Sequence, residues 1–351
     1  MSAPHIDHIG IIVADIEQAT ARLKPLFGDH ALVRELPEVG LRVAEFHAAN
    51  VVIELLQYTD RGDPAFARAY LRMLPGPEKL AGFYMGPDGY TWGRDFLGTE
   101  SGTPPELVIR RQWYSFMLWG RLSYQADLPD EWFEKALAQR FPEVPARKLF
   151  EVTARASKII PLVTRFHWED FDFQWYPEAC TSHPKYKGFH TVRHFLEGRT
   201  MPESGLLSIN AYRDASLAQQ PPAGQTPLQV AAELQGHARD VLTSLVEFNV
   251  LKNKELRLWL NDMEAMAHLG NYYAEKILGA TELAFFAKTG DTARKAAAVG
   301  HLEAALAHWK QYAAVAARQY RPQLLNRVGY VDFSALTEQA AKDVKMTRDW
   351  R

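Results

Sequence analysis

A single cysteine, Cys180, stands in a chain of 351 residues. No disulfide can form within the chain, and no cysteine-based zinc site can be assembled. Long apolar runs are missing as well, so no membrane-spanning helix is expected. Met1 to Ile12 lacks a basic start followed by a long apolar stretch. No secretory signal is therefore expected, and a cytoplasmic location is. Nor is there an excess of charge: Lys and Arg number 40 against 42 Asp and Glu, a net charge of −2. That balance gives no electrostatic reason to expect nucleic acid or an acidic membrane as partner. What remains is an ordinary globular mixture, 47% apolar and 23% charged, in a chain too long for one typical core.

The first part of the chain reads as a mixed α and β module over residues 1–58. His5 to Val13 (HIDHIGIIV) is apolar and β-branched, as a buried strand would be. A helix is expected from Asp15, with Ile16, Ala19, Leu23 and Phe27 on one face and Gly28 as its stop. Leu41 to Phe46 and Asn50 to Leu56 read as two further strands. His8 lies in the first strand and Glu54 in the last. A carboxylate within an apolar strand is costly unless it is paired or bound to a cation. Strand pairing could bring His8 and Glu54 together as two ligands of a divalent metal. Equally, His8 could be hydrogen-bonded in a core while Glu54 sits at a sheet edge.

HIDHIGIIVADIEQATARLKPLFG, followed by LRVAEFHAANVVIELLQ, resembles the first βαβββ module of vicinal-oxygen-chelate proteins. Within that superfamily it is most similar to methylmalonyl-CoA epimerase and its glyoxalase relatives. The resemblance includes the opening D-H-I-G at Asp7 to Gly10. It implies metal ligation by His8 and Glu54, with Mn²⁺, Co²⁺, Ni²⁺ or Zn²⁺ as the candidate ion and no organic cofactor indicated. The family site uses two such modules, and no second one follows Tyr58. A four-ligand site would then need a second copy of the chain, so a homodimer is expected.

Residues 59–109 form a connecting segment. Pro64 to Leu74 suits a short helix, and Leu80 to Met85 a buried strand ending in the turn Gly86 to Gly89. Loops that leave the carboxyl ends of strands carry the chemistry of α/β architectures. Asp88 is thus a candidate catalytic carboxylate, with Asp95 as companion, and Tyr90, Trp92 and Arg94 are candidate substrate-binding residues. Asp88 could also serve only to stabilise a Pro-Asp-Gly turn. Six of the nine tryptophans lie between Trp92 and Trp175. Such a concentration suits both a sugar-binding cleft and a large aromatic core, so Trp113 and Trp119 enter the candidate site with that alternative open. Trp113, Met117 and Trp119 read as one aromatic helix, broken at Gly120, and Asp130 reads as the cap of the next.

QWYSFMLWGRLSYQADLPDEW is similar to a segment of family 67 α-glucuronidases that leads from the last barrel strand into a C-terminal helical domain. Trp113, Tyr114, Gly120, Arg121 and Leu122 carry the resemblance, which runs from Pro75 to the C-terminus. It implies a carbohydrate or other small-molecule substrate, an acidic sugar met by Arg94 or Arg121, and a barrel strand at GFYMGPDGYTWGR. The earlier barrel strands, where that family keeps its catalytic carboxylates, are absent.

Residues 110–351 read as a helical domain. Ala146 to Phe166 is expected to be helical with an interruption at Pro161. The stretch HWEDFDFQWYPEACTSHPKYKGFHTVRHF is dense in His, Asp and aromatics, and reads as a substrate-lining loop that includes His190. His190 and His194 are four apart, but the Glu of the zincin motif is missing. Past a linker at Gln219 to Gln225, Thr226, Pro227 and Gln229 form a capping box with Pro at the first helical position. Three long apolar stripes follow. The second runs Leu256, Leu260, Met263, Ala267, Gly270, Ala274, Ile277, Thr281 and Ala284, and ends at Gly290. These are antiparallel bundle helices with narrow seams.

The fold expected is therefore α+β: one βαβββ module, then a mostly helical region with a long antiparallel bundle. Three functions follow from it. The first is a glycoside-hydrolase-related protein, α-glucuronidase-like and incomplete as a catalyst, fused to a metal-binding module. The second is a metal-dependent vicinal-oxygen-chelate lyase, isomerase or epimerase. The third is a non-catalytic binding or assembly protein.

Overall fold

The computed structural model describes residues 31–36, 41–46, 62–74, 98–100, 111–168, 189–248, 252–325 and 329–351. The chain divides into two compact units, one of Met1–Gln57 with Met73–Gly86, the other of Tyr58–Arg72 with Pro87–Arg351. Besides Met73 and Leu74, the described part of the first unit is a hairpin of β1 (Ala31–Leu36) and β2 (Leu41–Phe46). The strands run antiparallel, with Ala31 opposite Phe46 and Leu36 opposite Leu41.

The expected α+β class is corrected here. The described residues are overwhelmingly helical, and their strands pair only two at a time, β1 with β2 and a second short pair far along the chain. Among the described residues a βαβββ module is not seen. Of its expected strands, Leu41–Phe46 is present, and it pairs with Ala31–Leu36, a strand outside the expected set. The expected strands at His5–Val13, Asn50–Leu56 and Leu80–Met85, and the helix from Asp15, lie outside the described residues.

The second unit is built of helices: α1 (Pro64–Met73), α2 (Trp113–Tyr124), α3 (Asp130–Arg140), α4 (Ala146–Ala156), α5 (Ile159–Phe166), α6 (Val192–Glu197), α7 (Ile209–Leu217), α8 (Pro227–Leu245), α9 (Lys254–Thr289), α10 (Thr292–Gln319) and α11 (Phe333–Arg348). A short hairpin of β3 (Gln323–Leu325) and β4 (Gly329–Val331) joins α10 to α11. No helix among the described residues is long and apolar enough to cross a membrane.

Local chemistry sets the helix ends. The Thr226 hydroxyl accepts from the Gln229 N–H at 3.2 Å while the Gln229 side chain accepts from the Thr226 N–H at 2.8 Å, so both halves of the capping box are made. Helix α9 stops at Gly290, which takes φ +71°, a left-handed conformation that costs glycine little. Asp291 then caps α10 by accepting from the Ala293 N–H at 2.9 Å. Gly120 does not break α2, contrary to expectation. It is exposed on the outer face, while Leu118, Trp119 and Leu122 bury the inner one. The interruption expected at Pro161 falls earlier, at Ser157 and Lys158. Pro161 is instead tolerated in the first turn of α5, where no intrahelical N–H bond is lost. The cap of α3 is Pro129, with Asp130 inside the first turn, where its charge favours the helix dipole.

Helix α9 is the axis of this unit. Helices α4 to α8 and α10 all pack against it, and α11 packs on α10. The expected apolar stripe is buried throughout, yet Trp259, Tyr272, Tyr273, Lys276, Ala280 and Leu283 are buried too. A helix surrounded on most sides needs more than one seam.

Candidate functional site

Two clusters of charged and aromatic side chains stand along α9. The first is centred on Asp262. Its Oδ1 accepts from the Tyr320 hydroxyl at 2.7 Å and from the Gln319 amide, and its Oδ2 pairs with Arg111 at 3.3 Å. The Arg111 guanidinium also lies 5.2 Å over the Tyr320 ring. Residues 98–100 are fastened to the same spot. Gly98 bridges to Tyr320, and the Thr99 N–H donates to the Gln319 carbonyl at 3.1 Å. Glu100 receives Arg257 at 2.6 Å, a bond that holds its carboxyl below the usual range.

Near this point Trp113 donates from Nε1 to Glu255 Oε1 at 3.0 Å. Arg140 grips the same Glu255 at 2.8 Å and lies 5.5 Å over the Trp113 ring. Trp259 closes another side, with ring centroids 5.7 Å apart. Trp119 is 3% exposed and meets the rings of Phe66 and Tyr70 edge-on. Arg121 is exposed and covers Trp132 at 5.0 Å. Among the described residues, the three expected substrate-binding residues of α2 have three separate sets of neighbours. Asp88, Tyr90, Trp92, Arg94 and Asp95 lie outside the described residues. So do His8 and Glu54, the expected metal ligands. Among the described residues, no group of three or more His, Cys, Asp or Glu could hold a metal ion.

The second place is centred on Lys276, which is fully buried. Its Nζ pairs with Asp343 Oδ2 on α11 at 3.0 Å, and donates to the Tyr272 hydroxyl at 2.9 Å and to the His190 carbonyl. The rings of Phe189, Phe195 and Tyr272 stand 4.7, 4.9 and 5.3 Å from the ammonium. Asp343 also accepts from the Val192 N–H at 2.8 Å, at the start of α6. Burial pushes its carboxyl up, against the pull of Lys276. A buried ion pair survives only with this density of hydrogen bonds.

His190 belongs to this second place. Its Nδ1 lies 2.7 Å from His167 Nε2, so one ring donates and the other accepts. His167 stacks on Phe195 with centroids 4.3 Å apart. His194 caps a helix: its Nδ1 accepts from the Thr191 N–H and completes the cap of α6. Lys276, Asp343 and Asp262 were not singled out by sequence. The signal was present, because Lys276 and Asp343 are charges set in core phase, between Tyr272 and Ala280 on one helix and between Ala340 and Val344 on the other.

No family model matches the chain, and no curated protein does. Among solved structures it is similar to a GH138 glycoside hydrolase described as an enzyme targeting pectin rhamnogalacturonan II, with TM-score 0.65 and 16% identity. The likeness covers 86% of this chain and 48% of that one, so the chain spans about half the length of the structure it matches.

Proposed function

We propose that this chain is a glycoside-hydrolase-related protein that binds carbohydrate carrying uronic-acid units. One observation carries the reading: the fold likeness to a carbohydrate-active enzyme extends over 86% of the chain. The α-glucuronidase-like segment from Trp113 to Leu122 adds the acidic sugar. In this reading Tyr90 and Trp92 meet the flat faces of the sugar and Arg94 meets its carboxylate. Asp88 supplies an acid or base. Retaining and inverting glycosidases both need two positioned carboxyl groups. Asp95 is the remaining companion in that loop, and Asp262 is fully engaged in holding Arg111 and Tyr320. Binding with little turnover is therefore the expected behaviour.

Calorimetry with glucuronic acid, with an aldouronic oligosaccharide and with a neutral xylan oligosaccharide tests this reading. The expected result is binding of the acidic ligands, weakened at least tenfold by Arg94→Ala and retained by Asp88→Asn. Absence of heat and of any tryptophan fluorescence change at saturating acidic ligand removes the reading.

A further inference from the structure

Away from both clusters on α9, the helical unit has an open groove of about 370 Å³ between α7, the start of α8 and the α9–α10 turn. That volume lies within the range of small-ligand sites, at its small end. One wall is built in layers. Tyr212 of α7 meets Phe285 of α9 edge-on, centroids 6.0 Å apart, and Arg294 of α10 lies 4.9 Å over the same Phe285. Glu282 fixes the guanidinium there, both carboxylate oxygens accepting from Nη1 at 2.9 and 3.0 Å. The Arg294 side chain is thus held in place before any ligand arrives, while its Nε and Nη2 make no hydrogen bond to a described residue. The opposite lip is apolar, formed by Leu217 and Leu228, which are 47% and 40% exposed. Asp291 stands at the end of the groove with one oxygen on the Ala293 N–H.

We infer that this groove binds a neutral pyranose unit of a polysaccharide, as a second carbohydrate site distinct from the acidic-sugar loop. A pyranose ring has an apolar face and a rim of hydroxyls, each able to donate and accept. The Leu217 and Leu228 lip and the edge of Tyr212 match the apolar face. The free donors of Arg294 and the carboxylates of Glu282 and Asp291 match the rim. The lining carries two carboxylates against one guanidinium, and that guanidinium is already neutralised by Glu282. This sign of charge disfavours a uronate, and selects a neutral sugar over an acidic one. The choice of a sugar among polyols rests on the proposed function, and the groove geometry does not.

Titration of the full chain with a neutral xylan hexasaccharide, and separately with glucuronic acid, tests the inference by calorimetry. The expected result is neutral-sugar binding that falls at least tenfold in Tyr212→Ala and in Leu228→Asp, with glucuronic acid binding unchanged in both. Leu228→Asp is an exposed change that leaves the core intact, so it reports even if Tyr212→Ala fails to fold. Neutral-sugar binding that Leu228→Asp leaves untouched, or no neutral-sugar binding at all, overturns the groove. Glucuronic acid binding in that second case leaves the acidic-sugar reading standing. Neutral binding lost in the variants, without any glucuronic acid binding, supports the groove and removes the acidic-sugar loop.

Discussion

Asp262 and Lys276 occupy one helix, fourteen residues apart by their numbers, or roughly 21 Å along the axis. Both are charges held by an opposite charge, a tyrosine hydroxyl and a further polar group. They differ in solvent. Asp262 and Arg111 keep 20% and 10% of their side chains exposed, whereas Lys276 and Asp343 keep 1% and 5%. In the wet cluster, water can replace a lost partner, so each bond is worth its modest net value. In the dry cluster nothing can replace it, and the value of the pair shows only when one member is removed. The dry pair fastens α11 to α9 and α6, and the wet one fastens residues 98–100 and Arg111 to the ends of α9 and α10.

The largest effect should come from breaking the dry pair. Lys276→Met leaves the Asp343 carboxylate buried alone and should cost about 3–5 kcal/mol. Urea unfolding followed by circular dichroism measures it. The double variant Lys276→Met with Asp343→Leu should regain much of the loss, since two apolar groups need no partner. A single variant that loses under about 1 kcal/mol would mean the pair is not desolvated as described.

Asp262→Asn should cost less, about 1.5–3 kcal/mol, because it weakens charge-assisted bonds to Arg111 and Tyr320 at a partly wet site. The loss should shrink in high salt, which screens the exposed pair and leaves the buried one nearly untouched. An equal salt response in Asp262→Asn and Lys276→Met would erase the contrast between the two places.

The helices of this unit were readable because each stripe and cap is a local signal. Thr226 with Gln229 and the Gly290 stop are examples in which chain neighbours alone decide the outcome. Gly120 and Pro161 misled for the same reason. The cost of Gly120 is real but small beside the burial of Leu118, Trp119 and Leu122, and Pro161 falls in a first turn, where proline costs little. The two-stranded pairing of Ala31–Leu36 with Leu41–Phe46 was not legible, since register between strands is fixed by contacts the sequence does not display. For Trp113 and Trp119 the sequence left a sugar cleft and an aromatic core both open, and the structure sets the two rings against Glu255, Trp259, Phe66 and Tyr70. Composition could not separate these uses, because a ring that stacks on sugar and a ring that fills a core are the same residue. Of the candidate site, only the α2 residues and His190 fall among the described residues, and the charges that hold α9 in place were found by geometry.

Two glycines sharpen the same contrast between filled and open surroundings. A Cβ at Gly279 of α9 would strike the Leu302 side chain and come 3.3 Å from the Ala298 carbonyl, where α9 and α10 approach closely. Gly279→Ala should therefore destabilise by about 1–3 kcal/mol. A Cβ at Gly300 of α10 meets nothing within 4 Å. Gly300→Ala should stabilise by about 0.5–1 kcal/mol, through helix propensity alone. Opposite shifts of the melting temperature check the pair, and shifts of the same sign would contradict the described spacing of α9 and α10.

The smallest expected effect is a pH dependence with two signs. His301 of α10 lies 2.7 Å from Glu275 of α9, which also accepts from Gln235 at 3.0 Å. The bond to Glu275 raises the His301 pKa above its ordinary 6.5. A raised value in the folded state means the pair's stabilisation is full below about 6.5 and is lost as pH rises through the folded value. His268, nearby on α9, is shifted the other way: burial lowers its pKa, so its contribution is present above about 6.5 and lost as pH falls. His301→Gln should thus destabilise at pH 5.5 and be nearly neutral at pH 8.5, whereas His268→Gln should improve relative stability on acidification. The His301 side chain is 33% exposed, and solvent screening holds the difference to under about 1 kcal/mol. Unfolding free energies of the three proteins across that pH range decide the matter. A His301→Gln variant whose loss is larger at pH 8.5 than at pH 5.5 would place the proton elsewhere than on the His301–Glu275 pair.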